Sequence, residues 1–240
     1  AGSVSINTTF CVTLYPVSDF NATTVPVRVT TAVPTGTQLV FLVSSYPYVQ
    51  NFDAFPYSGY TPTGANPFNA GWYNDLGDGG GQWLVYRNSS PTGGTGPTSD
   101  HTTGSSSGQY VYVEDSNFSS SNGNINMISP PLDISGLTLP TVEFWLHNLV
   151  GNGAQAQYEN TLHFDLIDPS TGNVTADFIT AIKGNSNAAW QLVTVDLSSV
   201  TATVIQVRFR WEGTGSSIYN DIAIDDFSVR DVPDINVKNG

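Results

Sequence analysis

The chain has 240 residues, with 7 basic and 20 acidic side chains and a net charge of −13. Nothing in it could neutralise a run of phosphates, which argues against a nucleic-acid partner. Charged residues make up only 11% of the chain, yet 39% is hydrophobic and 12% aromatic, enough for a core and too much for disorder throughout.

No apolar run reaches the ~18 residues that a transmembrane helix needs. No charged-then-apolar leader opens the sequence. Cys11 is the sole cysteine, so an intramolecular disulfide and a cysteine-based zinc site are both excluded. Lys occurs only at 183 and 238, and the polarity comes from Ser, Thr, Asn, Gly and Pro. This is the composition of an extracellular β protein. Sequons stand at Asn7, Asn21, Asn88, Asn117 and Asn173, a number that chance alone produces in a chain this rich in Asn, Ser and Thr.

In chain order, residues 1–48 hold strand-like stretches with several prolines and one acid, Asp19. Val25 to Val33 alternates, and Leu39 to Val43 is a continuous apolar run that predicts a buried strand. Residues 88–109 are rich in Gly, Ser, Thr and Pro and predict a long loop, of the kind that carries function or mobility. Strands are predicted at Tyr110 to Glu114, Thr141 to His147, Leu162 to Ile167, Phe178 to Ile182, Gln191 to Leu197, Val204 to Trp211 and Ile222 to Val229. Turn clusters such as Pro169-Ser170-Thr171-Gly172 and Glu212-Gly213-Thr214-Gly215 separate them. Helical periodicity and fixed-period repeats are absent. Short, evenly spaced strands with little helix predict an all-β sandwich or jelly roll.

From Asn51 onward the order of features is specific: Asn51-Phe52-Asp53, Gly71-Trp72, Asp75 to Trp83, Gly96-Pro97-Thr98-Ser99-Asp100-His101-Thr102, Gly108-Gln109-Tyr110, Ser129-Pro130, Phe144-Trp145-Leu146-His147 and Asp221-Ile222-Ala223-Ile224-Asp225-Asp226-Phe227. This order resembles the MAM domain, an extracellular adhesion and recognition module, over about residues 50–231. The usual paired cysteines are missing, so the chain is more similar to bacterial relatives, including the jelly-roll adhesin domains of secreted peptidases and surface proteins. The resemblance implies a MAM-like jelly roll at 49–232, preceded by an N-terminal β segment or small lobe at 1–48 and followed by a tail at 233–240.

Calcium takes six to eight oxygen ligands. Asp53 begins the recognisable region and Asp225 and Asp226 end it; first and last strands of a jelly roll commonly pair, which would bring these acids together. Asp78, in a Gly-rich loop, and Asp100, in the long loop, can approach the same place. Such carboxylates repel one another unless a cation sits between them, and the resemblance also implies structural calcium here. The same acids also suit turns and caps satisfied by backbone N–H groups. Adjacent residues of a strand face opposite ways, so one of Asp225 and Asp226 is expected at the ion.

His101, His147 and His163 lack zinc spacing, and His101 is expected to be a satisfied histidine beside Asp100. No hydrolase elbow, zinc-protease helix, phosphate loop or dinucleotide fingerprint occurs, so no enzyme is predicted. Trp145 and Trp211, inside alternating strands, are expected in the core. Tyr46, Tyr48, Tyr57 and Tyr60 lie in a Pro-rich stretch and are the candidate exposed surface.

These readings combine into a secreted or cell-surface, non-catalytic adhesion module stabilised by Ca²⁺, with a protein partner or self-association. The alternatives are a carbohydrate-binding module with a glycan partner, and a structural subunit of a surface filament assembled by strand addition. In the last, the N-terminal strands would offer an unpaired edge for a neighbouring subunit to complete, and Cys11 would be either buried or paired between subunits.

Overall fold

The structure, a computed structural model, describes residues 2–6, 10–14, 41–75, 81–117, 123–150, 160–185, 187–213 and 221–232. The chain divides into two compact units, Ala1–Val40 and Phe41–Gly240. In the first, β1 (Gly2–Ile6) and β2 (Phe10–Leu14) form an antiparallel hairpin, with Gly2 opposite Leu14 and Ile6 opposite Phe10. The alternating stretch at 25–33 lies outside the described residues.

The second unit contains β3 (Tyr48–Gln50), β4 (Tyr73–Asn74), β5 (Leu84–Tyr86), β6 (Tyr110–Val113), β7 (Gly123–Ile128), β8 (Leu132–Asp133), β9 (Pro140–His147), β10 (Asn160–Ile167), β11 (Val174–Thr175), β12 (Ile182–Lys183), β13 (Gln191–Asp196), β14 (Val204–Gly213) and β15 (Ile222–Asp231). Among the described residues the strands make two antiparallel sheets. One runs β11-β10-β14-β7-β4, with β12 on β10 and β8 on β14. The other runs β13-β9-β15-β6-β5, with β3 on β15.

The period of two decides what lies between the sheets. Val142, Phe144 and Leu146 of β9 point inward, as do Leu162, Phe164 and Leu166 of β10, and all are buried. Phe144 stacks on Phe164 across the sandwich at 6.0 Å, and Phe209 of β14 meets Phe144 edge-on at 4.9 Å. Trp72 stacks on Phe209 and meets Phe227 of β15 edge-on. Buried indole N–H groups find acceptors: Trp72 Nε1 donates to Tyr48 Oη and Trp83 Nε1 to the Ile125 carbonyl. The core is therefore aromatic at its centre, with the N–H groups of these two buried indoles satisfied.

Three expectations are corrected. At 41–43 the apolar run is not a buried strand: Phe41 and Leu42 are half exposed, and only Val43 pairs, through an isolated bridge to Leu132. Phe178 to Ile182 is not a strand either, because bends occupy 178–179 and β12 begins only at Ile182. Trp145 is not core: alternation in β9 sends Phe144 inward, so Trp145 turns out and stacks on His101. Trp211 is buried as expected.

Candidate cation site and aromatic surface

β3 pairs with β15, with Gln50 opposite Phe227. That pairing carries Asp53, three residues beyond β3, to the middle of the last strand. There β15 changes register against β9 between Asp225 and Ser228, a bulge, and Asp226 adopts a positive φ of 48°. The bulge overrides strict alternation. Both acids consequently reach His101, contrary to the expectation that they face apart: Asp225 Oδ2 accepts the His101 backbone N–H at 2.8 Å, and Asp226 Oδ2 accepts from His101 Nδ1 at 2.6 Å. The Thr102 hydroxyl also donates to Asp226. The main side-chain partner of His101 is thus Asp226 rather than Asp100, and Trp145 lies 3.7 Å from its ring centre, nearly parallel.

Asp100 is buried and accepts the Thr103 backbone N–H at 2.9 Å. Asp53 Oδ1 accepts from the Gln109 backbone at 2.7 Å, and Asp53 Oδ2 from the Asn51 amide at 2.7 Å. Phe52, between them, holds φ at 58°, a conformation unusual for a bulky side chain, with its N–H donated to Gln50 Oε1. Two strained residues, Phe52 and Asp226, therefore flank one acidic centre.

The charges interact. Burial pushes the Asp225 carboxyl up to about 8, with Asp226 and then Asp100 adding to the rise. Asp53 is also raised, first by burial and then, against the Gln109 hydrogen bond, by Asp100 and Asp226. Asp53, Asp100, Asp225 and Asp226 thus come together from the entry segment, the long loop and the last strand; Asp78 lies outside the described residues. Among the described residues, no group of three or more His, Cys, Asp or Glu side chains is placed so that it could hold a metal ion. The donors are all oxygen, the chemistry of a hard cation.

The other histidines are engaged elsewhere. His147 Nε2 lies 3.1 Å from the Ala188 carbonyl, and His163 sits between Asp177 and Glu212 on the outer face of β10 and β14.

The four tyrosines divide. Tyr46 and Tyr48 are partly buried, Tyr46 donating to the Val43 carbonyl and Tyr48 packing edge-on against Phe227. Tyr57 and Tyr60 are open, 46% and 55% exposed. Tyr57 packs against Tyr86 of β5 at 5.6 Å, and the Arg87 guanidinium lies 4.7 Å over its ring. Tyr86 and Arg87 extend the surface beyond the residues expected from sequence. Their signal was only that they follow Leu84 and Val85, which are buried.

A second acidic group lies beside β6 and β15. Glu114 follows β6, Asp115 opens a 3₁₀ turn and Asp221 precedes β15; all three are buried.

The unit Phe41–Gly240 is thus an all-β jelly-roll sandwich in which the segment after β3, the long loop and the last strand meet at one acidic centre. The model of the MAM domain family (meprin/A5/mu) matches residues 66–233, and the chain belongs to that family. Among solved structures it is similar to the K1 cleaved adhesin domain of Lys-gingipain from Porphyromonas gingivalis W83, at 20% identity over 78% of this chain and 99% of that one, with a TM-score of 0.46. It is also similar to TmCBM61, solved in complex with β-1,4-galactotriose, at 13% identity over 78% of this chain and 100% of that one, TM-score 0.45. A third is the family 11 carbohydrate-binding module from Clostridium thermocellum, at 13% identity over 69% and 91%, TM-score 0.40. No helix among the described residues is long and apolar enough to cross a membrane.

Proposed function

We propose that this MAM-family chain is a non-catalytic recognition module acting outside the cell, in adhesion to a protein partner or to further copies of itself, with calcium holding its jelly roll closed. The observation that carries the calcium part is the convergence of Asp53, Asp100, Asp225 and Asp226 on one strained stretch of β15, where like charges act on one another and His101 is the partner of two of them. These four residues would hold the ion. When bound, it supplies positive charge that offsets their repulsion and ties three distant stretches of chain together. Family membership supports the recognition part, and Tyr57, Tyr60, Tyr86 and Arg87 are its surface.

A ligand that binds only the folded state adds about 2.7 kcal/mol at a hundredfold excess over Kd. Chelation is therefore expected to lower Tm by several degrees and added Ca²⁺ to restore it. Asp53→Ala and Asp226→Ala should melt like the chelated chain and respond less to calcium. Melting curves indifferent to both chelator and calcium at neutral pH overturn this role.

The exposed tyrosines favour a second reading, a carbohydrate-binding module, because an aromatic face beside a guanidinium suits the apolar face and hydroxyls of a pyranose. Sedimentation and a glycan array separate the two. Self-association or protein capture weakened by Tyr57→Ala and Tyr60→Ala, with a silent array, supports adhesion. Saturable glycan binding lost in the same variants replaces it with the second reading.

A further inference from the structure

Arg87 follows β5 and stands on a fixed base. Ser58 is fastened beside it: its N–H donates to the Val85 carbonyl at 3.1 Å, and its hydroxyl accepts the Val85 N–H at 2.7 Å. That clamp sets Tyr57 against Tyr86, with ring centres 5.6 Å apart. After Arg87, Asn88 holds a positive φ of 65°, and its carbonyl accepts the Tyr110 hydroxyl at 3.0 Å. Tyr86 in turn packs on Tyr110 and Tyr112. Burial and then Tyr57 raise the Tyr86 phenol above its ordinary range, with Glu114 and Tyr60 adding to the rise, so Tyr57, Tyr60 and Tyr86 form one cluster.

The Arg87 guanidinium is exposed and unpaired. Arg208 and Arg210 share Asp165, and Arg230 pairs with Glu143. Arg87 meets no carboxylate and no hydrogen-bond acceptor among the described residues; its guanidinium lies over the Tyr57 ring instead, at 4.7 Å. A cation over a ring is steadied there without giving an N–H to an oxygen, so its donors stay available. The charge is also locally alone. Residues 54–74 and 84–99, which supply this surface, hold no other charged side chain, in a chain of net charge −13. Glu114, the acid that acts on Tyr86, is buried, and its Oε1 accepts from the Thr92 and Ser116 hydroxyls.

A held, unanswered guanidinium selects a carboxylate, whose two oxygens match its paired N–H groups. The surroundings bound the rest of the ligand. Three phenols suit a body with an apolar face and hydroxyls. The net charge of −13 repels a densely charged polyanion, whereas a single carboxylate is met by a single arginine. Four side chains suit a sugar ring or two, while a standard protein interface takes about 20–30 residues a side. We propose that Tyr57, Tyr60, Tyr86 and Arg87 bind a glycan carrying an isolated carboxylate, a uronic acid within an otherwise neutral chain. This rests on the carbohydrate reading of the same surface and narrows it. The carboxylate accepts from Arg87, Tyr57 and Tyr60 pack against the C–H face of the ring, and the phenol hydroxyls meet its hydroxyls.

The experiment uses the full chain and an array of oligosaccharides that each bear one uronic acid, printed beside the same oligosaccharides with that carboxyl reduced to an alcohol. The acidic members should bind about fivefold more tightly than their reduced counterparts, the upper end for an exposed ion pair. Added salt should shrink that preference. Arg87→Gln should abolish it with Tm unchanged, since the side chain is exposed. Arg87→Lys, which keeps the charge but not the paired donors, should retain only part of it. Tyr60→Ala should weaken acidic and reduced members alike. Equal binding of acidic and reduced members, or a preference that survives Arg87→Gln, overturns the proposal and leaves the broader carbohydrate reading standing. An array silent throughout overturns both. Should a Gly/Ser peptide with one Glu then bind, and Arg87→Gln abolish that binding, the carboxylate that Arg87 meets belongs to a protein partner.

Discussion

His147 is the last residue of β9, with 1% exposure, and burial lowers its pKa to about 4. A histidine neutral in the fold but free to protonate when unfolded stabilises the protein above its ordinary pKa of about 6.5. That stability is lost as pH falls from there through about 4. A displacement of this size corresponds to roughly 3 kcal/mol. His147→Gln should therefore show a shallower loss of stability between pH 6.5 and 4 than the parent, measured by denaturant midpoints across that range. Parallel curves for the two chains would show that His147 titrates normally. Residues of this type were legible only as members of strands. Alternation placed Phe144 inward and His147 in a strand, but the burial of His147 depends on the 187–190 stretch covering it, a contact far away in sequence. Trp145 was misplaced for a related reason: its size suggested core, whereas the face it occupies is set by its neighbour Phe144, and its covering partner is His101 on a remote loop.

At the scale of elements, Asp165 of β10 shows how a polar outer face is made rigid. Its carboxylate is fully buried between Arg208 and Arg210 of the neighbouring β14, at 2.8 and 3.0 Å, and accepts the Asp177 backbone N–H at 2.7 Å. Burial alone would raise its pKa, but Arg210, the Asp177 N–H and Arg208 outweigh it and hold the carboxyl below its ordinary range. Asp165→Ala leaves two guanidinium groups without their shared acceptor and should cost about 3 kcal/mol in equilibrium unfolding. A loss under about 1 kcal/mol would mean that solvent replaces the acceptor freely.

The long loop is an element of its own. A side-chain Cβ at Gly108 would stand 2.2 Å from Asp100 Oδ2. Gly108→Ala must displace Asp100 from its turn and is expected to weaken calcium binding and lower Tm, whereas alanine at the open Gly93 should do neither. The same geometry predicts that limited proteolysis in calcium cuts between Asn88 and Gly94 and spares 96–102, where Gly96, Pro97 and Asp100 are buried. Preferential cutting beside Asp100 would contradict it. The strands β9, β10, β13 and β14, which the sequence predicted well, are those with uninterrupted alternation, and β15 alternates on each side of its bulge. The bulge at Asp225 and Asp226 was invisible because it needs no glycine or proline, only a positive φ that the contacts with His101 and Thr102 hold in place.

At the scale of the whole chain, Phe41–Gly240 has its own core, and its first contacts are made by Val43 with Pro131 and Asp133. A chain lacking residues 1–40 should fold, with its calcium response intact. One lacking residues 1–48 also loses Val43, Tyr46 and the start of β3, and should melt several degrees lower or aggregate. Equal melting of the two would show that 41–48 contributes nothing to the sandwich.

The antiparallel pairing of β3 with β15 puts Tyr48 beside Val229, so the polypeptide enters and leaves the sandwich at the same end. A load carried along the chain, as in a protein that tethers one surface to another, would then act across this pair rather than along it. Its hydrogen bonds would break one at a time, as a zip opens. Once the two bonds of Val43 and the three residues of β3 had given way, the pull would reach Asp53. A cation gripping Asp53 together with Asp225 and Asp226 would sit there as a stop, halting the tear before it reached the aromatic core. Extension of single molecules in calcium and in chelator should differ mainly in the force at which this first peel continues, which would make the ion a mechanical fuse rating as much as a source of thermal stability.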